Sequence, residues 1–222
     1  MEQPKSYRAL VRFGMATDTL DAAGQVVAVS EPPCVRPENV QAALPRFVGE
    51  IQQVPPAYSA LKRGGRTAYE AARSGEAMVL EPRTVRVDGL RLVGWEEPAS
   101  AWLEIDSGSG FYVRSLARDL GDAVGCPAHL AALIRTRCGG FALRDAATLE
   151  ELAAGGVESA LVVPAEALGF LPAAVLDADA VLAIQHGIQI AGLPERRTRL
   201  LDGAGNLVGV AAAGRLEKVW SP

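Results

Sequence analysis

The sequence is poor in cysteine, histidine and aromatic residues, and it has no long apolar run. Its 222 residues include three cysteines without CxxC spacing, which argues against a disulfide scaffold and against a cysteine-built zinc site. Two histidines argue against a histidine-rich metal site. No apolar run approaches the roughly 20 residues of a membrane helix, which excludes a transmembrane protein. The first residues are polar and lack a signal-peptide pattern, so we expect the protein in the cytoplasm.

Acidic and basic residues are unevenly distributed along the chain. The formal net charge of −4 by itself argues against a nucleic-acid partner. Residues 145–195 contain eight acidic side chains and no lysine or arginine, whereas residues 196–222 carry a charge of +3. Of the 22 basic residues, 19 are arginine, which binds phosphate in a bidentate manner and suits RNA. A GC-rich genome produces the same arginine enrichment, so composition leaves both interpretations open.

Hydrophobic periodicity predicts an α+β fold. Alternation predicts strands over 7–15, 25–29, 84–92 and 101–105. Apolar spacing predicts helices over 37–48, 67–73, 112–124, 128–134, 149–154 and 178–186. We therefore expect a main domain over residues 1–172 and a small β-rich module over residues 173–222. A strand that opens the chain is predicted either to be an edge strand or to follow an N-terminal part missing from this sequence.

The segment from Gly108 to Gly121 is the most informative part of the chain. A glycine-rich turn precedes a helix that begins near Tyr112, and the N-terminus of a helix attracts phosphate. Arg114 and Arg118 are one helical turn apart, and an aromatic ring beside them could stack on a base. A buried tyrosine next to two surface arginines remains the alternative.

Two further clusters of basic residues favour an RNA-binding surface. Lys62, Arg63 and Arg66 lie in a loop without intervening acids, and Arg135 and Arg137 follow the predicted helix over 128–134. Each cluster alone is typical of an ordinary solvated surface, but three on one chain indicate contact with RNA.

Two aspartates of one short segment, Asp18 and Asp21, resemble a paired-carboxylate site. Because they fall between two predicted strands, where aspartate favours local hydrogen bonds, we interpret them as turn residues. A small-molecule enzyme built on this pair is the weaker alternative. We expect structural roles for His129 and for the thiols of Cys126 and Cys138.

Motifs that occur in order along the whole chain resemble the bacterial TruB-type tRNA pseudouridine synthases. They are KSYR from Lys5, TDT with the following Asp21 and Gly24, VPPAYSALK from Val54, SGFYVR from Ser109, and AHL with LIR between Ala128 and Arg135. The PPAYSALK segment from Pro55 and the GFYVRSLARDLG segment from Gly110 are highly specific in combination. The resemblance runs to Phe141 and continues more loosely into the C-terminal module.

The resemblance implies a fold, a reaction and a set of site residues. It implies a pseudouridine-synthase-like sheet, a PUA-like C-terminal RNA-binding module, and a monomer that uses no metal or organic cofactor. The family flips uridine 55 out of the tRNA T-loop and isomerises it, as base-modifying enzymes require. By motif, Tyr7 stacks on the flipped base, Tyr112 and Leu133 line the pocket, and Arg114 pairs with the catalytic carboxylate. We expect the RNA backbone to contact the basic residues Lys62, Arg63, Arg66, Arg118, Arg135 and Arg137.

The chain departs from the family pattern at the catalytic aspartate. In the family that residue lies in a GTLDP-like motif well upstream of Lys-x-Tyr, and only six residues precede Tyr7 here. Asp21 follows Tyr7 and matches a later turn, so we do not assign it as the nucleophile. We therefore expect an N-terminally shortened synthase that is inactive as given, because acid–base help cannot replace a nucleophile. A non-catalytic tRNA-binding or RNA-folding module is the alternative. Ile134 stands where the family commonly has arginine.

Overall fold

The computed structural model describes residues 3–31, 35–59, 62–63, 66–67 and 80–220, with the main chain alone at 62–63 and 66–67. The chain forms two compact units, Met1–Arg144 and Asp145–Pro222. The predicted boundary after residue 172 lies inside the second unit and stays a prediction. The predicted helix over 67–73 and Cys34 fall largely or wholly outside the described residues. None of the described helices is long and apolar enough to cross a membrane.

A six-stranded antiparallel sheet forms the centre of the first unit. Its strands are β1 (Lys5–Phe13), β4 (Gly49–Gln53), β7 (Arg83–Glu96), β8 (Ser100–Ser107), β9 (Ala128–Cys138) and β10 (Phe141–Ala142). They are arranged in the order β10-β9-β1-β8-β7-β4. The strand β1 therefore lies inside the sheet between β9 and β8, and the prediction that it is an edge strand is wrong. The described part of the first unit also contains two short antiparallel strand pairs, β2 (Met15–Thr17) with β3 (Val26–Val29), and β5 (Lys62–Arg63) with β6 (Arg66–Thr67).

The helices in the described part of the first unit cover one face of this sheet. They are α1 (Pro37–Ala43), which continues as a 3-10 turn over Leu44–Phe47, and α2 (Val113–Val124). The apolar side of α2 is fully buried at Leu116, Ala117 and Leu120 and packs against β9 and β1. Helix α2 ends where Gly125 adopts a left-handed conformation, a position that glycine occupies without strain.

The predicted helix over 128–134 is a strand. Residues Ala128–Cys138 form β9 and pair with β1 along its length, with two register shifts. A short run of apolar residues does not distinguish a buried strand from a helix, and here pairing to β1 decides the conformation. The other predicted strands and the helix over 112–124 are confirmed within a few residues at their ends.

The second unit combines a four-stranded sheet with short helices. Its strands, in sheet order, are β11 (Ala173–Val175), β12 (Thr198–Leu201), β13 (Leu207–Ala212) and β14 (Arg215–Val219). Its helices are α3 (Leu149–Glu151), α4 (Val157–Ala160), α5 (Pro164–Ala167) and α6 (Ala178–Gln185). A small core of its own forms around Ile184, Leu200 and Val208.

One cysteine prediction needs correction. Cys126 is buried but takes part in a disulfide, rather than standing as the free structural thiol that the sequence suggests, whereas Cys138 is free. The missing CxxC spacing gave no sign of this bond, because disulfide partners are brought together by the fold and not by sequence distance.

Candidate functional site

Three predicted site residues share one face of the central sheet. In the antiparallel pairing of β1 with β9, Tyr7 lies opposite Arg135 and Ala9 lies opposite Leu133. Residues opposite each other on antiparallel strands share a face, and so do residues two apart on one strand. Because Ala9 is fully buried in the core beneath α2, the side chains of Tyr7, Leu133 and Arg135 lie on the α2 side of the sheet.

Tyr7 presents a half-buried phenol on this face. Its ring packs against the edge of the core. Burial raises the pKa of the phenol above its ordinary value, and the positive charge of Arg135 opposes that rise. Tyr7 is therefore neutral at physiological pH and offers an aromatic ring without a charge, as stacking on a base requires.

Leu133 and Arg135 give the face an apolar surface and a cation. Leu133 is 46% exposed although it lies on the core side of the sheet, so its side chain is available to an apolar ligand group. Arg135 is exposed, and its charge is close enough to act on Tyr7. An aromatic ring, an apolar wall and an arginine on one surface are the components of a nucleotide site.

Arg114 connects three segments of the chain at the first turn of α2. Its Nη1 donates to Asp21 Oδ2 at 3.2 Å and to the Thr19 carbonyl at 3.3 Å, and its Nη2 donates to the Tyr58 carbonyl at 2.7 Å. The carboxylate that pairs with Arg114 in this structure is Asp21, and the predicted pairing of Arg114 with a catalytic carboxylate stays a prediction.

The two aspartates of the turn after β2 differ in role. Asp18 Oδ1 accepts a hydrogen bond from the Gln25 amide at 2.8 Å, as the turn interpretation expects. Asp21 Oδ1 accepts from Thr19 Oγ1 at 2.7 Å and from the Ala23 amide, while Oδ2 faces Arg114. A bridge between Asp21 and Leu130 also attaches this turn to β9. The turn interpretation is therefore incomplete for Asp21, which is both a turn residue and part of the site.

Tyr112 is the N-cap residue of α2, and its main chain is held by a residue that sequence reasoning missed. Gln53 Oε1 accepts from the Tyr112 amide at 2.8 Å, and Gln53 Nε2 donates to the Tyr112 carbonyl at 3.1 Å. Nothing in the sequence links these residues, because 59 positions separate them.

The remaining predicted residues have different surroundings. Arg118 donates to the Val54 carbonyl at 3.0 Å and pairs with Asp119 at 2.7 Å, so part of its guanidinium is occupied within the protein. Arg137 donates to Ser6 Oγ at 3.1 Å, on the opposite face of the sheet from Tyr7. Roles of both arginines in RNA binding stay predictions.

Other residues singled out from the sequence lie outside this face or outside the described side chains. His129 is buried with Nδ1 2.9 Å from the Met15 carbonyl, which confirms its structural role. Ile134 lies opposite Arg8, on the face away from Tyr7. The side chains of Lys62, Arg63 and Arg66 fall outside the described part of the structure. Within the described residues, no three histidine, cysteine, aspartate or glutamate side chains group as metal ligands do.

Solved structures that superpose on this chain identify its fold class. A crystal structure of a Cbf5-Nop10-Gar1 complex matches with a TM-score of 0.69 at 23% identity, over 99% of this chain and 67% of that chain. An H/ACA RNP bound to a substrate RNA containing 2′-deoxyuridine matches with a TM-score of 0.67 at 20% identity, over 99% and 66%. The chain therefore shares the α+β fold of the matched chains in these complexes, which confirms the predicted fold class.

Comparison with protein families and with individual relatives shows which family the chain belongs to. Residues 1–113 match the TruB family pseudouridylate synthase N-terminal domain, and residues 114–182 match the tRNA pseudouridylate synthase B C-terminal domain. The tRNA pseudouridine synthase B of Thiobacillus denitrificans is 42% identical over 220 residues, covering 96% of this chain and 72% of that protein. The corresponding protein of Symbiobacterium thermophilum is 44% identical over 186 residues, covering 83% and 62%. The chain belongs to the TruB family of pseudouridylate synthases, which are isomerases, and the predicted resemblance is confirmed.

Proposed function

We propose that this chain recognises uridine 55 in the T-loop of tRNA as part of its isomerisation to pseudouridine. The observation that carries the proposal is the single sheet face that presents Tyr7, Leu133 and Arg135. Family membership supplies the reaction class, and the residues on this face supply a pocket for one flipped base.

Each group has a defined task in this proposal. The neutral ring of Tyr7 stacks on the flipped uracil, and Leu133 covers the edge of the ring with apolar surface. Arg135 neutralises a neighbouring phosphate and so holds the loop while the base is out of its stack. Tyr112 completes the pocket at the N-terminus of α2, where the helix also favours a phosphate.

Isomerisation requires more than recognition. The bond between ribose C1′ and uracil N1 breaks, the base rotates, a C1′–C5 bond forms, and the C5 proton leaves while N1 gains a proton. The family resemblance assigns the start of this sequence to an aspartate upstream of Lys-x-Tyr, and residues 1–222 do not contain that motif. The carboxylate at this site, Asp21, is engaged by Arg114, Thr19 and Ala23.

We therefore propose that these 222 residues bind the T-stem-loop without turning it over. The Asp21 carboxylate accepts three hydrogen bonds, from Thr19 Oγ1, the Ala23 amide and Arg114 Nη1, and the first two hold it within its own turn. The engagement of Asp21 is the observation that favours a binding module over a catalyst for this stretch of chain.

The binding experiment compares two arginines on opposite faces of the same sheet. The affinity of a T-stem-loop RNA is measured over a range of salt concentrations for the wild type, Arg135→Gln and Arg91→Gln. Arg91 is the matched control because its guanidinium pairs with Glu104 on the face away from Tyr7. We expect Arg135→Gln to weaken binding and to reduce the slope of log K against log salt by about 1.

Two outcomes contradict the proposed RNA site. One is equal affinity of the wild type for the T-stem-loop and for a hairpin of the same composition with a scrambled loop. The other is an equal loss of affinity in Arg91→Gln and Arg135→Gln. RNA binding would then not depend on the face of the sheet that presents Tyr7.

A further inference from the structure

Gln53 is a buried polar side chain beside the candidate site. It is the last residue of β4, and only 1% of its surface is exposed. Both ends of its amide are used on one residue, since Oε1 accepts from the Tyr112 amide and Nε2 donates to the Tyr112 carbonyl. The side-chain amide of Gln53 therefore pairs with the main chain of Tyr112 in the way that a main-chain amide of a neighbouring strand would.

The position of Tyr112 makes this contact consequential. The chain enters α2 through a turn in which Gly110 has a φ of 82°, and Tyr112 itself is extended. The Tyr112 carbonyl also accepts from the Leu116 amide within the helix at 3.1 Å, so it keeps one partner if Gln53 is replaced. The Tyr112 amide donates to Gln53 Oε1, so this hydrogen bond at the N-cap depends on a single side chain.

Arg114 lies in the first turn of α2, so the position of its side chain depends on where Tyr112 is held. Ser115 Oγ donates to the Val54 carbonyl at 2.8 Å, and Arg114 donates to the Tyr58 carbonyl. In both contacts the segment after β4 contributes main-chain oxygen atoms, which substitution does not remove. Gln53 contributes a side chain, so one substitution tests the connection between this segment and the start of α2.

We propose that Gln53 is a positioning residue for uridine recognition. It fixes the main chain of Tyr112, and through the first turn of α2 it places the Tyr112 ring and the Arg114 guanidinium relative to Tyr7 on the sheet. This proposal rests on the proposed function, because it assigns a task in binding the flipped base. Stacking of one base on an aromatic side chain contributes about tenfold or more to affinity, so a change in the geometry of these residues has a measurable effect on binding.

The test replaces Gln53 with methionine and uses the neighbouring glutamine as the control. Methionine keeps the length of the side chain and removes both hydrogen bonds. Gln52 is exposed on β4, with Nε2 bonded to Thr84 Oγ1 at 2.8 Å, so Gln52→Met makes the same chemical change away from Tyr112. Gln53→Asn is a second variant, because its amide is one methylene too short to reach both atoms. Circular dichroism and thermal melts establish that each variant is folded at the assay temperature.

Two quantities are measured on the folded proteins. The first is the hydrogen-exchange rate of the Tyr112 amide, which we expect to rise at least about tenfold in Gln53→Met and to stay unchanged in Gln52→Met. The second is the ratio of affinities for a T-stem-loop with uridine at the target position and the same RNA with an abasic site there. We expect this ratio to fall about tenfold or more in Gln53→Met and Gln53→Asn, and to stay at the wild-type value in Gln52→Met.

The outcomes separate the positioning role from the proposed function. A wild-type ratio of one overturns the proposed function and the recognition role together. A wild-type preference for uridine that survives in folded Gln53→Met overturns the positioning role alone. Failure of both Gln53 variants to fold, while Gln52→Met folds, also overturns it, because Gln53 would then serve the stability of the unit rather than the pocket.

Discussion

Replacing Asp21 with asparagine removes the negative charge that faces Arg114 while preserving the size of the side chain. The asparagine carbonyl can still accept from Thr19 Oγ1 and the Ala23 amide, so the turn keeps its hydrogen bonds. What is lost is the ion pair between Asp21 Oδ2 and Arg114 Nη1 at 3.2 Å.

The exposure of the pair sets the size of the effect. The side chains of Arg114 and Asp21 are 25% and 28% exposed. Exposed pairs contribute about 0–1 kcal/mol, and removing one partner of a buried pair costs about 3–5 kcal/mol. Arg114 also keeps the carbonyls of Thr19 and Tyr58 as acceptors. We therefore expect Asp21→Asn to lower the free energy of unfolding by about 1–2 kcal/mol, or the melting temperature by about 5 °C.

Urea unfolding monitored by circular dichroism measures this effect. Asp18→Asn is the matched control, because Asp18 lies in the same turn and the Gln25 amide is the one partner described for its side chain. We expect that variant to lose less than about 0.5 kcal/mol. A double-mutant cycle with Arg114→Gln should give a coupling energy of about 1 kcal/mol. Equal losses in Asp21→Asn and Asp18→Asn, or a coupling energy near zero, would refute the ion pair as a stabilising contact.

Two further predictions concern the packing and ionisation of α2. A Cβ at Gly121 would lie 2.8 Å from the Cys126 carbonyl oxygen and 2.9 Å from the Ala128 amide nitrogen, so Gly121→Ala should cost about 1–3 kcal/mol. Gly140→Ala, where nothing lies within 4 Å, should stay within about 0.5 kcal/mol in the same urea titration. Burial raises the pKa of the Asp119 carboxyl above its ordinary value, and the Arg118 hydrogen bond only partly opposes this. Because the folded state holds the proton more tightly, the wild type loses stability as pH rises from the ordinary aspartate range through the raised pKa. The side chain of Asp119→Asn cannot ionise. The free energy of unfolding of this variant relative to the wild type should therefore increase between about pH 3 and about pH 7. A difference in unfolding free energy that does not change with pH would contradict the raised pKa.

Local patterns were sufficient for part of the fold. The alternation over 7–15 identified β1, and the apolar spacing after Tyr112 identified α2, because both elements bury one regular face against the core. The strand β9 was not recognised. Its first residues form an apolar run without alternation, and only pairing with β1 makes that run a strand.

The candidate site was predicted in composition but not in arrangement. In a regular strand, Arg135 and Arg137 would lie on the same face because they are two residues apart. The register shift between Ser6 and Tyr7 instead places Arg137 on the opposite face of the sheet from Arg135. Asp21 looked like a turn residue because its contact with Arg114 spans 93 positions. Gln53 carried no signal, because a polar residue at the end of a strand is ordinary until its partner is known.

The release of tritium from a T-stem-loop RNA labelled at carbon 5 of the target uridine tests the central claim most directly. Each isomerisation expels that hydrogen, so release counts turnovers whatever the route of glycosidic-bond cleavage. For these 222 residues the account predicts RNA binding that depends on Arg135, without release of tritium. Release above the protein-free control would contradict it, because a carboxylate within the chain, with Asp21 the first candidate, would then be the nucleophile.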